Sequence, residues 1–297
     1  MIYEIFVLIG RRIRANGLQD TKEIYWWPEG GKLIFLGEKA TPSFWDQRWQ
    51  SEDWKKTITR ARKGRYLSGI LSRYLPDKSS RILEGGCGDG HLVDAMIHWG
   101  YKAIGVDFAA ATIKKIKEVM PALDVRHGDV RKLDFEDEYF DGYWSLGVIE
   151  HFWEGYEAIV SEMNRVLKVG GYAFVTFPGI SVLDKLRILV GGYKQFCETV
   201  MPELFYQFGL EIQSVKEDFS RMGFECVHTR RSGGLLGIER LWPKWRKVNE
   251  KLKALGQKSQ AFRIFCTGVS FALAPLCGHS VLLVFRKQEH CKVYRSR

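Results

Sequence analysis

No two cysteines in this 297-residue chain fall at C-x-x-C spacing. The six are scattered at Cys87, Cys197, Cys226, Cys266, Cys277 and Cys291, which argues against a disulfide framework or a zinc site and fits a reducing compartment. Low-complexity tracts and internal repeats are also missing. With 45% hydrophobic and 27% charged residues, collagen-like and disordered classes are excluded, and one large domain or two small ones are expected. A secretory leader is not expected. The apolar run 2–9 contains Glu4, and Arg11, Arg12 and Arg14 follow that run instead of preceding it. The cytoplasm is the expected location. The one long stretch without charge, 264–285, approaches the ~20 residues of a membrane span. Pro275, Gly278 and His279 interrupt it and 280–285 reads as a strand, so helix, turn and strand are expected there.

What the chain has is charge of uneven sign. The net +10 arises from basic segments at 46–80 and 179–297 around an acidic middle, 81–178, where Asp and Glu exceed Lys and Arg by 6. That distribution suits a core handling a neutral or cationic ligand, with appendages facing something anionic.

The acidic middle alternates strand-like runs at 81–84, 103–107, 124–127, 140–146 and 172–177 with helical stretches at 91–99, 110–119 and 156–167, the last closed by Gly170-Gly171. Repeated βα units predict a parallel sheet covered on both faces. A helix at 211–221 and strands at 224–229 and 280–285 resume the pattern after an insertion at 179–204, and a second insertion at 230–278 separates the last two strands. Runs 24–27 and 33–36 flank Pro28-Glu29-Gly30-Gly31 as a hairpin. Three segments follow: an N-terminal arm and cap over 1–80, a ligand-binding core over 81–178, and acceptor-side insertions with the last two strands over 179–297.

The first core strand runs into Glu84-Gly85-Gly86-Cys87-Gly88-Asp89-Gly90. Such a loop lets a ligand approach the backbone, because no Cβ intervenes. A dinucleotide site needs a sixth-position glycine or alanine where His91 stands, and no G-K-[ST] follows for a phosphate loop. The run fits E-x-G-x-G-x-G. Asp107 ends the second strand, Gly128-Asp129-Val130 follows the third, and the fourth reads Phe140-Asp141-x-x-x-Ser145-x-x-Val148-x-Glu150-His151. With Arg165-Val166-Leu167-Lys168-x-Gly170-Gly171 and the tryptophan segment Trp45-Asp46-x-Arg48-Trp49, the chain resembles the class I S-adenosylmethionine-dependent methyltransferases, in their small-molecule, quinone-biosynthesis-like type 11 branch.

That resemblance covers about half the chain. It implies a doubly wound, mostly parallel α/β sheet of seven strands, with S-adenosyl-L-methionine as cofactor and no metal. The implied cofactor contacts are Glu84, Gly86, Gly88 and Gly90 in the loop, Asp107 on the ribose with Phe108 beside it, Asp129 and Val130 at the adenine, Ser145, and Trp45 folded over the sulfonium. Gly85 stands where the family more often has a branched apolar residue. The implied catalytic residues are His151 and Glu150, with His151 read either as a general base or as a pocket residue. A small-molecule or lipid-linked acceptor is expected, and O-methylation is the preferred chemistry. The fourth strand lacks the [DNS]-P-P-[YFW] of amino-purine methylation, so no nucleic acid is expected. A nucleic-acid methyltransferase and a non-catalytic cofactor-binding scaffold stay open as alternatives. Over 238–255, Ile238, Leu241, Trp242, Trp245, Val248, Leu252 and Leu255 fall on one helical stripe beside Arg240, Lys244, Arg246, Lys247, Lys251 and Lys253. This basic amphipathic helix is expected either to pack on its own domain or to meet a membrane surface.

Overall fold

A computed structural model describes residues 23–50, 54–197 and 201–289; the apolar run 2–9 and Cys291 lie outside the described residues. The hairpin β1 (Glu23–Trp27) and β2 (Lys32–Leu36) leads into helices α1 (Pro42–Gln50), α2 (Trp54–Arg62) and α3 (Arg65–Tyr74). The core follows as β3 (Arg81–Gly85), α4 (His91–His98), β4 (Lys102–Asp107), α5 (Ala110–Val119), β5 (Val125–His127) and β6 (Phe140–Leu146). A 3-10 turn (Ile149–His151), α6 (Glu157–Val166) and β7 (Leu167–Pro178) complete it. Next come α7 (Val182–Leu189), β8 (Lys194–Gln195), β9 (Phe205–Gly209), α8 (Ile212–Arg221) and β10 (Phe224–Ser232). After α9 (Gly234–Leu241), a 3-10 turn (Pro243–Trp245), α10 (Arg246–Lys258) and α11 (Gln260–Cys277), the last described strand is β11 (Ser280–Lys287).

The main sheet has seven strands in the order β10-β11-β7-β6-β3-β4-β5. Strands β3 to β7 run parallel, and β11 pairs antiparallel with both β7 and β10. This is the doubly wound sheet expected from the βα alternation. One face is packed by Ile159 and Met163 of α6 and Phe219 of α8, the other by Leu71 of α3, Val93 of α4 and Ile116 of α5. The fold therefore buries its inner parallel strands on both sides and leaves the carboxyl ends of the sheet as the edge where a ligand can enter.

Three features differ from the sequence reading. Helix α6 ends at Val166, within a residue of the expected 167, but Gly170-Gly171 does not close it: Leu167 is already extended and opens β7, ahead of the expected strand start at 172. The hairpin is not isolated. It joins β8 and β9 in a second sheet, ordered β8-β1-β2-β9, so the N-terminal arm and the insertion after β7 build one layer. Trp27 stacks on Trp153 at 5.2 Å and anchors that layer to the core. Finally, the stripe over 238–255 is not one helix. Pro243 lacks an N–H and disfavours helical backbone in the residue before it, so Trp242 is extended and α9 and α10 are separate. Arg240 is not on a cationic face either, since it is buried and ion-paired with Asp184.

The unusual glycine at position 85 has a steric cause. A Cβ there would lie 2.1 Å from the Tyr143 hydroxyl and 2.7 Å from its ring, so Tyr143 of β6 fills the space a branched side chain would take. Gly85→Val is expected to destabilise the fold by about 1–3 kcal/mol through overpacking. With Tyr143→Ala in the background the same substitution should cost much less. Urea unfolding of the four proteins checks this, and additive effects would refute it.

Candidate active site

A cleft with about 730 Å³ of empty volume, counting its open mouth, lies at the carboxyl edge of β3, β4 and β6. Its floor is the glycine loop after β3. Gly86 has φ +74, and both its N–H and that of Cys87 donate to the Val106 carbonyl, at 2.8 and 3.0 Å. A Cβ on Gly86 would stand 2.5 Å from Val148, which itself lines the cleft. Only glycine gives the loop this path.

Asp107 closes β4 beside this loop. It is buried, and its two carboxylate oxygens accept from the Gly88 N–H at 2.7 Å and the Ala109 N–H at 2.9 Å. The side chain thus ties the glycine loop to the start of α5. The same side chain lines the cleft, where a carboxylate is an acceptor for ligand hydroxyls.

Asp129 also lines the cleft and is gripped by Arg131, whose guanidinium donates at 2.6 Å and whose backbone N–H donates at 2.9 Å. The hydrogen bonds from Arg131 hold the Asp129 carboxyl below the usual carboxylate range. Arg131 in turn lies 5.1 Å over the Phe152 ring, and both residues line the cleft. Neither was among the expected site residues. The Asp129-x-Arg131 turn was the available signal, since a short acidic side chain commonly receives hydrogen bonds from the residue two positions on.

The lid comes from α1. Trp45 and Trp49 stack at 5.9 Å, both buried except where they wall the cleft. Asp46 between them accepts from the Thr112 N–H and hydroxyl, each at 2.8 Å, at the N-terminal turn of α5. That bond pins the lid to the helix that follows Asp107.

His151 faces the cleft from the 3-10 turn after β6, edge-on to Trp45 at 5.2 Å and to Tyr206 at 5.1 Å. Its Nδ1 lies 2.7 Å from the Tyr206 carbonyl. A carbonyl only accepts, so Nδ1 carries the proton and Nε2 presents a lone pair. Burial pushes the imidazole down to about 4, which keeps it neutral at physiological pH.

Phe108 and Val130 line the cleft as expected. Glu84, Gly88, Gly90, Ser145 and Glu150 do not line it. Glu84, Ser145 and Glu150 are buried beneath the loop and the 3-10 turn, and the Glu150 carboxylate turns back toward Gly147. Among the described residues, no group of three His, Cys, Asp or Glu side chains could hold a metal ion.

The buried histidines make stability fall in acid. His151 is pushed down to about 4 and His279, wholly buried, to about 3, both through loss of solvation. Above an unfolded value of about 6.5 both states are neutral. Below it the unfolded chain takes up the protons first, so stability drops as pH falls through the window from 6.5 toward 4, by up to about 1.4 kcal/mol per pH unit for each residue. Denaturant unfolding at pH 7 and pH 5 measures this, and the slope should flatten in His279→Gln.

A family model described as a methyltransferase domain matches residues 83–175. A probable S-adenosylmethionine-dependent methyltransferase of Mycolicibacterium smegmatis is 28% identical over 158 residues, which cover 52% of this chain and 61% of that protein. A ubiquinone biosynthesis O-methyltransferase of Maricaulis maris is 36% identical over 106 residues, covering 34% of this chain and 41% of that protein. The chain thus spans less than two thirds of the length of either relative. A solved Galdieria sulphuraria structure ascribed to a sarcosine dimethylglycine methyltransferase superposes over 77% of this chain and 85% of that one, with a TM-score of 0.51 at 16% identity. That likeness shows the same fold. With its glycine loop, its strand-end carboxylates and the parallel strands of the main sheet, the domain over residues 83–175 belongs to the class I S-adenosylmethionine-dependent methyltransferases, in their type 11 branch.

Proposed function

We propose that the chain is an S-adenosylmethionine-dependent O-methyltransferase acting on a small or lipid-linked molecule with an acidic hydroxyl, in a reducing, cytoplasmic compartment. The observation that carries this is a neutral His151 that lines the same cleft as Gly86, Asp107 and Asp129, with Nδ1 taken by the Tyr206 carbonyl so that Nε2 is the nitrogen left to accept a proton. The Maricaulis maris relative, named for O-methylation, supports the choice of oxygen.

The residues present fit the cofactor. A glycine floor that tolerates no Cβ, a strand-end carboxylate lining the cleft, and apolar walls from Phe108 and Val130 suit a nucleoside without phosphates. Gly86, Asp107, Asp129 and Trp45 are the residues that would hold it. When bound, S-adenosylmethionine supplies a methyl group already activated by a sulfonium. What the chain adds is alignment and exclusion of water, from the Trp45–Trp49 lid pinned through Asp46. His151 Nε2 accepts the proton of the acceptor hydroxyl. Because the imidazole is only weakly basic, an acidic hydroxyl such as a phenol or enol suits it better than an alcohol. No nucleic acid is assigned as acceptor, since β6 continues as Ser145-Leu146-Gly147-Val148 into a 3-10 turn.

Calorimetry with S-adenosylmethionine, its demethylated product and NAD tests the cofactor. Saturable binding of the first two and none of NAD is expected, and binding of NAD alone would sink the reading. Methyl transfer from labelled cofactor to a catechol probe, against an amine probe, tests the choice of oxygen.

A further inference from the structure

We propose that the face built by α7, α10 and α11 docks on an anionic lipid surface, with the chain lying on one leaflet. Helix α11 is turned inside out. Its buried residues are the small Ser270, Ala274 and Cys277, and Gly234 and Gly237 of α9 press so closely on them that a Cβ at Gly237 would lie 1.5 Å from the Cys277 carbonyl oxygen. Its large apolar side chains face outward: Ile264 is 63% exposed, Phe265 64%, Phe271 52% and Leu276 51%. Neighbouring α7 repeats the inversion. The residue it buries is Asp184, ion-paired with Arg240, while Leu189 and Val190 at its end are 80% and 82% exposed. A helix in water does the reverse, burying its large apolar residues and exposing its charges.

The charge beside this face selects the occupant. Residues 240–263 contain eight Lys and Arg against one acidic residue, Glu250. Arg240 is buried, but Lys244, Lys247, Lys251, Lys258 and Arg263 are exposed along α10 and the start of α11. Trp242 and Trp245, 56% and 37% exposed, sit at the turn before α10, as amphipathic rings do at a headgroup boundary. Apolar side chains edged by cations complement an anionic leaflet. A second copy of this chain would bring the same positive charge against it.

The helix lies on the surface and does not cross it. At ~1.5 Å per residue its 18 residues extend roughly 27 Å, yet α11 packs on α9 and α10 and returns through Gly278-His279 into β11, whose Val281, Leu283 and Val284 are buried in the main sheet. The face shares the sheet edge that carries the cleft. Strand β7 ends at Pro178 opposite Ser280, α7 leaves from that edge, and the N–H of the cleft residue Gly147 donates to the Thr176 carbonyl of β7. The proposal stands apart from the methyl-transfer reading, because it concerns attachment and not turnover.

Co-sedimentation of the full chain with phosphatidylcholine vesicles, with and without roughly one third phosphatidylglycerol, tests it at low and physiological salt. Binding to the anionic vesicles that weakens with salt is expected. The Phe265→Ser, Phe271→Ser double variant should bind roughly tenfold more weakly or worse, and Lys247→Glu with Lys251→Glu should lose the preference for anionic lipid. Both alter exposed positions, so thermal unfolding should match that of the parent chain. No binding at low salt would overturn the proposal, as would equal binding by the phenylalanine variant. A concentration-dependent dimer that the phenylalanine variant abolishes, in a chain that ignores vesicles, would identify a second copy as the occupant instead.

Discussion

Asp107→Ala is expected to weaken binding of S-adenosylmethionine by about 2–4 kcal/mol, or roughly 30- to 700-fold in Kd. The size follows from two jobs done by one carboxylate. Its oxygens accept from the Gly88 and Ala109 N–H groups and so fix the glycine loop against α5, and in the proposed reading the same carboxylate accepts from the ribose hydroxyls. Removing the side chain takes the ligand contact away and also leaves two backbone donors without their partner in a buried place. The two contributions can be separated. A 2′-deoxy analogue of the demethylated cofactor should bind the parent chain more weakly than the natural product does, and should bind Asp107→Ala about as well as the natural product does. Asp107→Asn should lie between, because its amide keeps one acceptor but brings an N–H₂ toward N–H groups. A folded Asp107→Ala protein with unaltered affinity would refute the ribose assignment.

The parallel sheet was legible because its inner strands are covered on both faces. Strand β3, with Ile82, Leu83 and Glu84 all buried, reads as a short continuous run that stops at a glycine turn. The second sheet left no such trace. Strand β9 is buried throughout and pairs with β2 from the far end of the chain, while β8 has two residues and depends on β1 for its extended form. Pairing across such sequence distance is decided by packing, here by the Trp27, Trp153 and Phe208 rings, and not by local pattern. The break at Trp242 was legible in principle, since Pro243 carries its own signal. A strong apolar stripe masked it.

The site divides along the same line. Gly86, Asp107 and Asp129 could be placed from sequence because strand ends and chain reversals fix them at the carboxyl edge. Which of two neighbours faces the ligand could not. Glu150 and His151 are consecutive in a 3-10 turn, where three residues complete a circuit, so the two side chains point about 120° apart. His151 takes the cleft and Glu150 takes the interior. In sequence Gly85 is only a departure from the branched apolar residue more usual in the family. In fact its missing side chain is supplied by Tyr143 from the next strand, a property of two residues that neither shows alone.

His151→Ala is expected to slow methyl transfer to a phenolic acceptor by about 10²–10⁴-fold while leaving cofactor affinity unchanged. The Tyr206 carbonyl fixes the proton on Nδ1 and so commits Nε2 to accepting. With the imidazole held down to about 4 by burial, the residue is already neutral at pH 5.5 and stays so up to pH 8. The kcat of the parent enzyme should therefore be flat across that range, with no inflection near the ordinary histidine value of about 6.5. His151→Gln separates proton acceptance from positioning, because its amide oxygen can hold a hydroxyl in place but cannot take the proton away. If Nε2 takes the proton, His151→Gln should be nearly as slow as His151→Ala, and its rate should rise with pH as the acceptor ionises in solution. A Gln variant within about tenfold of the parent, with the same flat profile, would reduce His151 to a positioning residue and leave alignment under the Trp45–Trp49 lid as the main source of rate.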